Sequence, residues 1–309
     1  MEIKSRLEID FAGIKLKNPI LVSSGTFGCG REYAELIDLN RLGGIITKSI
    51  TEKPHKGNPP PRLAEVSGGL LNAIGLENEG IDNFLREKLP FLRQFKTSII
   101  VNIAGFTEDE YVRLTARLNQ AEGIAALEVN LSCPNVKKGG INFGSEPEIL
   151  KRLVKRIRAS TKLPLLIKLS PNVGDIVKFA GIAAEAGADG LSLINTVLGL
   201  SIDVNSFKPK LANVTGGLSG PAIRPIALRM IWDVYKRIKL PILGSGGIMR
   251  TEDALEFFIA GARAVAIGTA NFVNPRASLE IIQGIKKYLD KHEFKSIKEI
   301  IGKLKVNSR

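Results

Sequence analysis

Eight short, nearly continuously apolar runs punctuate this chain, and they constrain its fold more than any other feature. They are PILVSS (19–24), GGIITKS (43–49), SIIVNIAG (98–105), AALEVNLS (125–132), PLLIKLS (164–170), DGLSLINT (189–196), PILGSGG (241–247) and AVAIGTA (264–270). Runs without polar alternation suit parallel strands buried on both faces. Amphipathic stretches separate most of them. TEDEYVRLTARLNQAEG (107–123) has a Thr to cap it, acidic residues in its first turn and a closing Gly. EPEILKRLVKRIRAS, GDIVKFAGIAAEAG and TEDALEFFIAGA repeat the pattern, and 224–238 and the segment from Arg276 onward are also helical in period. Eight β–α units predict an α/β fold, a (β/α)₈ TIM barrel. A doubly wound open sheet is the competitor, weakened because no GxGxxG opens a helix after the first strand. Ahead of the barrel, LEIDFAGIKLKNP alternates with period 2 around a Gly and predicts a small N-terminal β-hairpin.

The 309 residues, 44% of them hydrophobic, suffice for one such barrel, and no linker or low-complexity segment divides them. A single domain over 1–309 is therefore expected. No apolar run reaches the ~20 residues that cross a bilayer. The N-terminus lacks the basic start and apolar block of a signal peptide. A cytoplasmic protein without membrane attachment is expected. Two cysteines make no disulfide framework, and two histidines leave too few soft ligands for a zinc site, so no metal is expected. The net charge of +13 invites a nucleic-acid reading. The basic residues, however, are spread over helix-like stretches without interleaved aromatics, so solvated helix faces are expected instead. Some of the excess can attract an anionic ligand or an acidic partner.

In such barrels the site lies at the C-terminal strand ends. Those ends read Ser23–Ser24–Gly25, Lys48–Ser49, Asn102, Asn130–Ser132–Cys133, Lys168, Asn195–Thr196, Gly246–Gly247 and Gly268–Thr269. One strand-end Asn is an ordinary turn residue; eight polar or glycine ends in register call for a ligand. The last two ends follow strands 7 and 8, where this fold holds phosphate groups. Lys48 and Lys168 interrupt apolar strands, and a buried ammonium needs an anionic or electron-rich partner. Cys133 follows a strand end and opens KKGGINFG, a candidate lid. Nearby lysines favour its thiolate, and without a placed His it fits a proton-abstracting base better than a nucleophile. Cys29, in FGCGREY, is read as a packing residue. NAIGL (72–76) and Asn195–Thr196 offer amides, a hydroxyl and backbone groups suited to a planar ligand bearing amides and a carboxylate. Two long connections, about 51–80 and 197–224, are expected to be functional loops.

NLSCPN, NAIGL, ITKS, LIKLSP, INT, GLSGPAIRP, GSGGI and IGTA together resemble class 1 dihydroorotate dehydrogenases over essentially the whole chain. Class 2 members typically carry Ser at the base position, where this chain has Cys133. CPNVKKGGINFG and GLSGPAIRPIALRMIW are similar to the B type. Ser245 stands where a Met is commoner. The resemblance implies oxidation of (S)-dihydroorotate to orotate in de novo pyrimidine biosynthesis. It implies FMN, one per chain, held by Ser24, Lys48, Ser49, Asn102, Asn130, Lys168, Ile194, Gly220, Gly246, Gly247, Gly268 and Thr269. Dihydroorotate would meet Lys48, Asn72, Ala73, Ile74, Gly75, Leu76, Asn130, Asn195 and Thr196. Cys133 would take the C5 proton while C6 gives hydride to flavin N5. A cation near N1 would favour the reduced ring. A partner subunit carrying FAD and a [2Fe–2S] cluster is implied, passing electrons to NAD, in a heterotetramer of two of each subunit around a homodimer core. Alternatives are a related flavin barrel acting on dihydropyrimidines or tRNA dihydrouridine, a non-redox phosphate-binding isomerase or aldolase, and a non-catalytic binding barrel.

Overall fold

The computed structural model describes residues 6–131 and 144–306. Eight strands close a parallel barrel: β1 Ile20–Val22, β2 Gly44–Ile46, β3 Ser98–Ile103, β4 Ala126–Asn130, β5 Leu165–Lys168, β6 Gly190–Leu193, β7 Ile242–Ser245 and β8 Ala264–Ile267. Each strand pairs with its sequence neighbours, and β8 returns to β1. All eight apolar runs thus form the predicted strands. They are buried nearly end to end, which is why they lack alternation.

Long helices follow the later strands: α1 Glu108–Asn119, α2 Pro147–Ala159, α3 Ile176–Glu185, α4 Arg224–Tyr235, α5 Thr251–Ala260 and α6 Ala277–Lys291. Thr107 caps α1, its hydroxyl accepting from the Glu110 N–H at 3.2 Å. The helix ends at Asn119, so Gly123 does not close it; Gly123 adopts a left-handed turn in the loop beyond. The first crossover is abbreviated to Arg31–Ala34 and a 3₁₀ turn at Leu39–Arg41. The basic helix faces are laced with ion pairs. Arg152 and Arg156 both reach Glu108, tying α2 to α1, and the Arg152 hydrogen bond holds the Glu108 carboxyl below its ordinary range.

The hairpin forms as read, Ile9–Phe11 against Ile14–Leu16, turning at Ala12 and Gly13, both at positive φ. Its apolar side, Ile9, Phe11 and Leu16, is buried. The Arg263 side chain, just before β8, donates to the Asp10 carbonyl at 2.6 Å, fastening the hairpin under the N-terminal end of the barrel. The two long connections are not loops alone. Leu63–Val66 and Gly69–Asn72 from one pair with Val197–Leu200 and Thr215–Ser219 from the other, making a four-stranded antiparallel sheet beside the opposite end. Neither connection shows a complete sheet signal alone, because each supplies half of the strands.

Candidate active site

The C-terminal strand ends and the accessory sheet enclose a cavity of about 540 Å³, a size typical of small-molecule sites, roughly 300–1,000 Å³. Its wall includes Ser24, Lys48, Ser49, Asn72, Ile74, Gly75, Leu76, Asn130, Lys168, Asn195 and Thr196. A smaller pocket of about 90 Å³ adjoins it. That pocket is lined by Ile194, Gly220, Gly246, Gly247, Gly268 and Thr269 and shares Ser24, Lys168, Asn195 and Thr196 with the larger one. Most residues singled out in the sequence therefore meet in one bipartite site. Asn102 and Ala73 do not line it: they are 0% and 1% exposed. The Ala73 carbonyl accepts from the Asn58 amide at 3.0 Å, which holds the NAIGL segment from behind. Cys133, Ser132 and nearly all of the candidate lid lie outside the described residues.

Behind the wall runs a directed chain of hydrogen bonds. The Asn195 amide donates to Asn130 Oδ1 at 3.3 Å, and the Asn130 amide donates to Ser49 Oγ at 3.2 Å. The Ser49 hydroxyl donates to Asn102 Oδ1, and the Asn102 amide donates to Glu128 Oε1 at 2.5 Å. Strand register makes this possible: Asn102 on β3 is paired with Glu128 on β4, and Asn130 with Lys168 on β5. Tyr111, buried on α1, donates from its hydroxyl to the Asn130 carbonyl at 2.7 Å and anchors the end of β4.

The two lysines differ. Lys168 is 8% exposed, its ammonium donating to Ser24 Oγ at 3.0 Å and lying 3.7 Å from Glu128 Oε1. The expected buried anion partner exists, and it is Glu128. Lys48, by contrast, is not buried. It lies two residues beyond β2 at the cavity rim, its side chain 34% exposed and 3.5 Å from Glu77 Oε2. Contrary to the sequence expectation, Lys48 faces the rim: beyond the end of β2 at Ile46, its neighbours Thr47 and Ser49 are the ones that are buried. Arg62 holds the other Glu77 oxygen at 3.2 Å. Its hydrogen bond, with the Lys48 charge, keeps the Glu77 carboxyl below the usual range. Cys29 packs against the core, and burial pushes its thiol up, which suits a packing role.

Three of the small pocket's four glycines are required by geometry. Gly246, Gly247 and Gly220 all have positive φ. A Cβ on Gly247 would stand 2.8 Å from both the Gly220 carbonyl oxygen and the Arg224 Cβ. Asp253, buried in the first turn of α5, accepts from the Met249 and Arg250 N–H groups and pairs with Arg224, fixing this loop. The Thr269 hydroxyl donates to Ser219 Oγ at 2.8 Å across the pocket mouth. Hydroxyls, close-approach glycines and the start of α5 make a setting suited to a phosphate group.

Glu128, Glu77, Arg62, Tyr111 and Ser219 were not singled out in the sequence. Glu128 was legible, since a carboxylate inside AALEVNLS raises the same question as a lysine inside LIKLS. Glu77 and Arg62 sit on opposite arms of the folded connection and meet only in three dimensions.

A family model described as dihydroorotate dehydrogenase matches residues 6–289. A protein of Alkaliphilus metalliredigens named dihydroorotate dehydrogenase B (NAD(+)), catalytic subunit, is 52% identical over 97% of this chain and 99% of its own length. Proteins of the same name from Caldicellulosiruptor saccharolyticus and Geotalea daltonii are each 53% identical, over 97% and 98% of this chain and 99% of their own lengths. With its strand-end site and a match of this extent, the chain belongs to the dihydroorotate dehydrogenase family.

Proposed function

We propose that this chain is an FMN-dependent oxidoreductase that converts (S)-dihydroorotate to orotate in pyrimidine biosynthesis. The observation that carries the reading is the bipartite cavity: a glycine-lined phosphate pocket joined, through Lys168, to a chamber walled by oriented amides. The described residues fit FMN. Gly246, Gly247, Gly268 and Thr269 would hold its phosphate, with Gly220 and Ile194 alongside, and Ser24, Lys168, Ser49 and Asn130 would meet the ring system. Asn102 acts from behind, through Ser49. Bound FMN would supply the hydride acceptor. Lys48 brings positive charge to the rim where an anionic substrate enters. Asn72, Ile74, Gly75, Leu76, Asn130, Asn195 and Thr196 would present donors and acceptors to the pyrimidine ring, with Ala73 backing the segment. Cys133, assigned from sequence, would receive the C5 proton.

The relatives' names support an NAD-linked enzyme in which this chain is the catalytic subunit of a larger assembly. We place FAD and a [2Fe–2S] cluster on the partner subunit, two of each chain in the assembly, in the cytoplasm, with residues 1–309 acting as one domain. Among the described residues no helix is long and apolar enough to cross a membrane. Leu198, Leu200, Ile202 and Phe207, each at least half exposed on the accessory arm, are a surface that a homodimer core would cover.

Purified chain should carry one FMN, and apo-protein should take FMN up. Protein that binds no flavin when FMN is supplied would exclude the reading. Gly247→Ala should weaken FMN binding at least tenfold, by fluorescence titration, because the added methyl has no room and its left-handed backbone costs about 1–2 kcal/mol. The isolated chain should reduce NAD slowly and gain rate when an iron–sulfur flavoprotein partner is added. Fast dihydroorotate-dependent NAD reduction by the chain alone would refute the two-subunit route.

A further inference from the structure

Glu128 is a carboxylate buried inside the barrel, and nothing in the catalysed reaction as described requires it to touch a ligand. Its side chain is fully buried. Oε1 accepts the Asn102 amide and faces Lys168, whereas Oε2 accepts no hydrogen bond among the described residues. A half-satisfied buried carboxylate is expensive and calls for a reason. A fully packed apolar layer would serve barrel stability as well or better.

The direction of the hydrogen-bond chain supplies one. A carboxylate only accepts, so Asn102 must turn its NH₂ toward Glu128 and its oxygen toward Ser49. Ser49 must then donate to Asn102, which leaves its oxygen to accept from Asn130. Asn130 is thereby turned with its oxygen toward Asn195. One carboxylate at the back of the barrel fixes the polarity of amides on the cavity wall. The same oxygen opposes the charge of Lys168, which borders both compartments.

We infer that Glu128 is a positioning residue for the site: it sets the orientation of the Asn102–Ser49–Asn130–Asn195 chain and tempers the positive charge that Lys168 presents to the bound flavin. The inference rests on the FMN reading above. Removing the negative charge leaves Lys168 unopposed, which favours the electron-rich reduced ring, so the flavin midpoint potential rises. An amide at this position could offer a donor or an acceptor, so the polarity of the chain is no longer enforced and product binding weakens.

The test uses wild-type holoprotein, Glu128→Gln and Glu128→Asp, each checked for FMN content before use. The potential of bound FMN is measured by anaerobic titration against a reference dye, and orotate affinity from the perturbation of the flavin spectrum. The expected order of potentials is wild type, then Asp, then Gln as the highest. The Gln variant should shift the reduction equilibrium about tenfold, or ~30 mV for a two-electron couple. Orotate should bind at least fivefold more weakly to the Gln variant. A residue serving only barrel integrity would lower the melting temperature and leave the potential and orotate affinity alone, and that result overturns the inference. If Glu128→Gln does not fold, Asp against wild type decides: the shorter carboxylate withdraws from both Lys168 and Asn102, so an unchanged potential overturns the inference and an upward shift supports it. Wild-type protein that takes up no FMN would sink the underlying reading and this inference with it; variants that bind FMN at the wild-type potential sink this inference alone.

Discussion

Cys133→Ala should slow flavin reduction by dihydroorotate roughly 10²–10⁴-fold while leaving FMN and orotate binding nearly intact. A positioned base contributes that much when the proton it removes is only weakly acidic, and the C5 proton is of that kind. Cys133→Ser should keep somewhat more activity at high pH, since a hydroxyl can serve as base but ionises with more difficulty than a thiol. Cys29→Ala is the control. Its thiol is turned to packing and pushed up by burial, so the variant should react at the wild-type rate. Single-turnover bleaching of the flavin across pH reads all three. A Cys133→Ala protein that bleaches at the wild-type rate would move the base elsewhere.

The second large effect is on stability. Lys168→Met should destabilise the barrel by about 3–5 kcal/mol, the usual result of stranding one partner of a buried pair. Here the stranded partner is Glu128, which has no exposure and no alternative cation within reach among the described ion pairs. The loss should not be symmetric. Lys168 opens on the cavity and keeps the Ser24 hydroxyl, so Glu128→Gln should cost less than Lys168→Met. Replacing both charges in one protein should recover much of the loss. Urea unfolding of the apo-proteins gives the three values, and a double variant as unstable as Lys168→Met would show that the pair is not the source.

Why the barrel was readable while part of the site was not follows from the distances involved. A strand buried on both faces is nearly continuously apolar, so AVAI and ILV announce themselves locally. The accessory sheet had no such signature, because Gly69–Asn72 pairs with Thr215–Ser219 across a large sequence separation and neither stretch alternates cleanly. Strand-end residues such as Asn130, Lys168 and Gly247 were legible because the fold dictates which end carries the ligand. The burial of Lys48 is not legible in the same way, because Thr47 and Ser49 on either side of it are buried while its own side chain reaches the rim. Glu77 meets Arg62 and Lys48 only through the fold of the connection. Glu128 was visible in principle: a charged residue within a doubly buried strand demands a partner, and Lys168 sits on the adjacent strand.

The most direct measurement is anaerobic mixing of the purified FMN-loaded chain with one equivalent of dihydroorotate, following the flavin band and the product together. The proposed function predicts rapid bleaching with one orotate formed per flavin, and no comparable bleaching by dihydrouracil. A flavin that stays oxidised with dihydroorotate, or bleaches as fast with dihydrouracil, would contradict it.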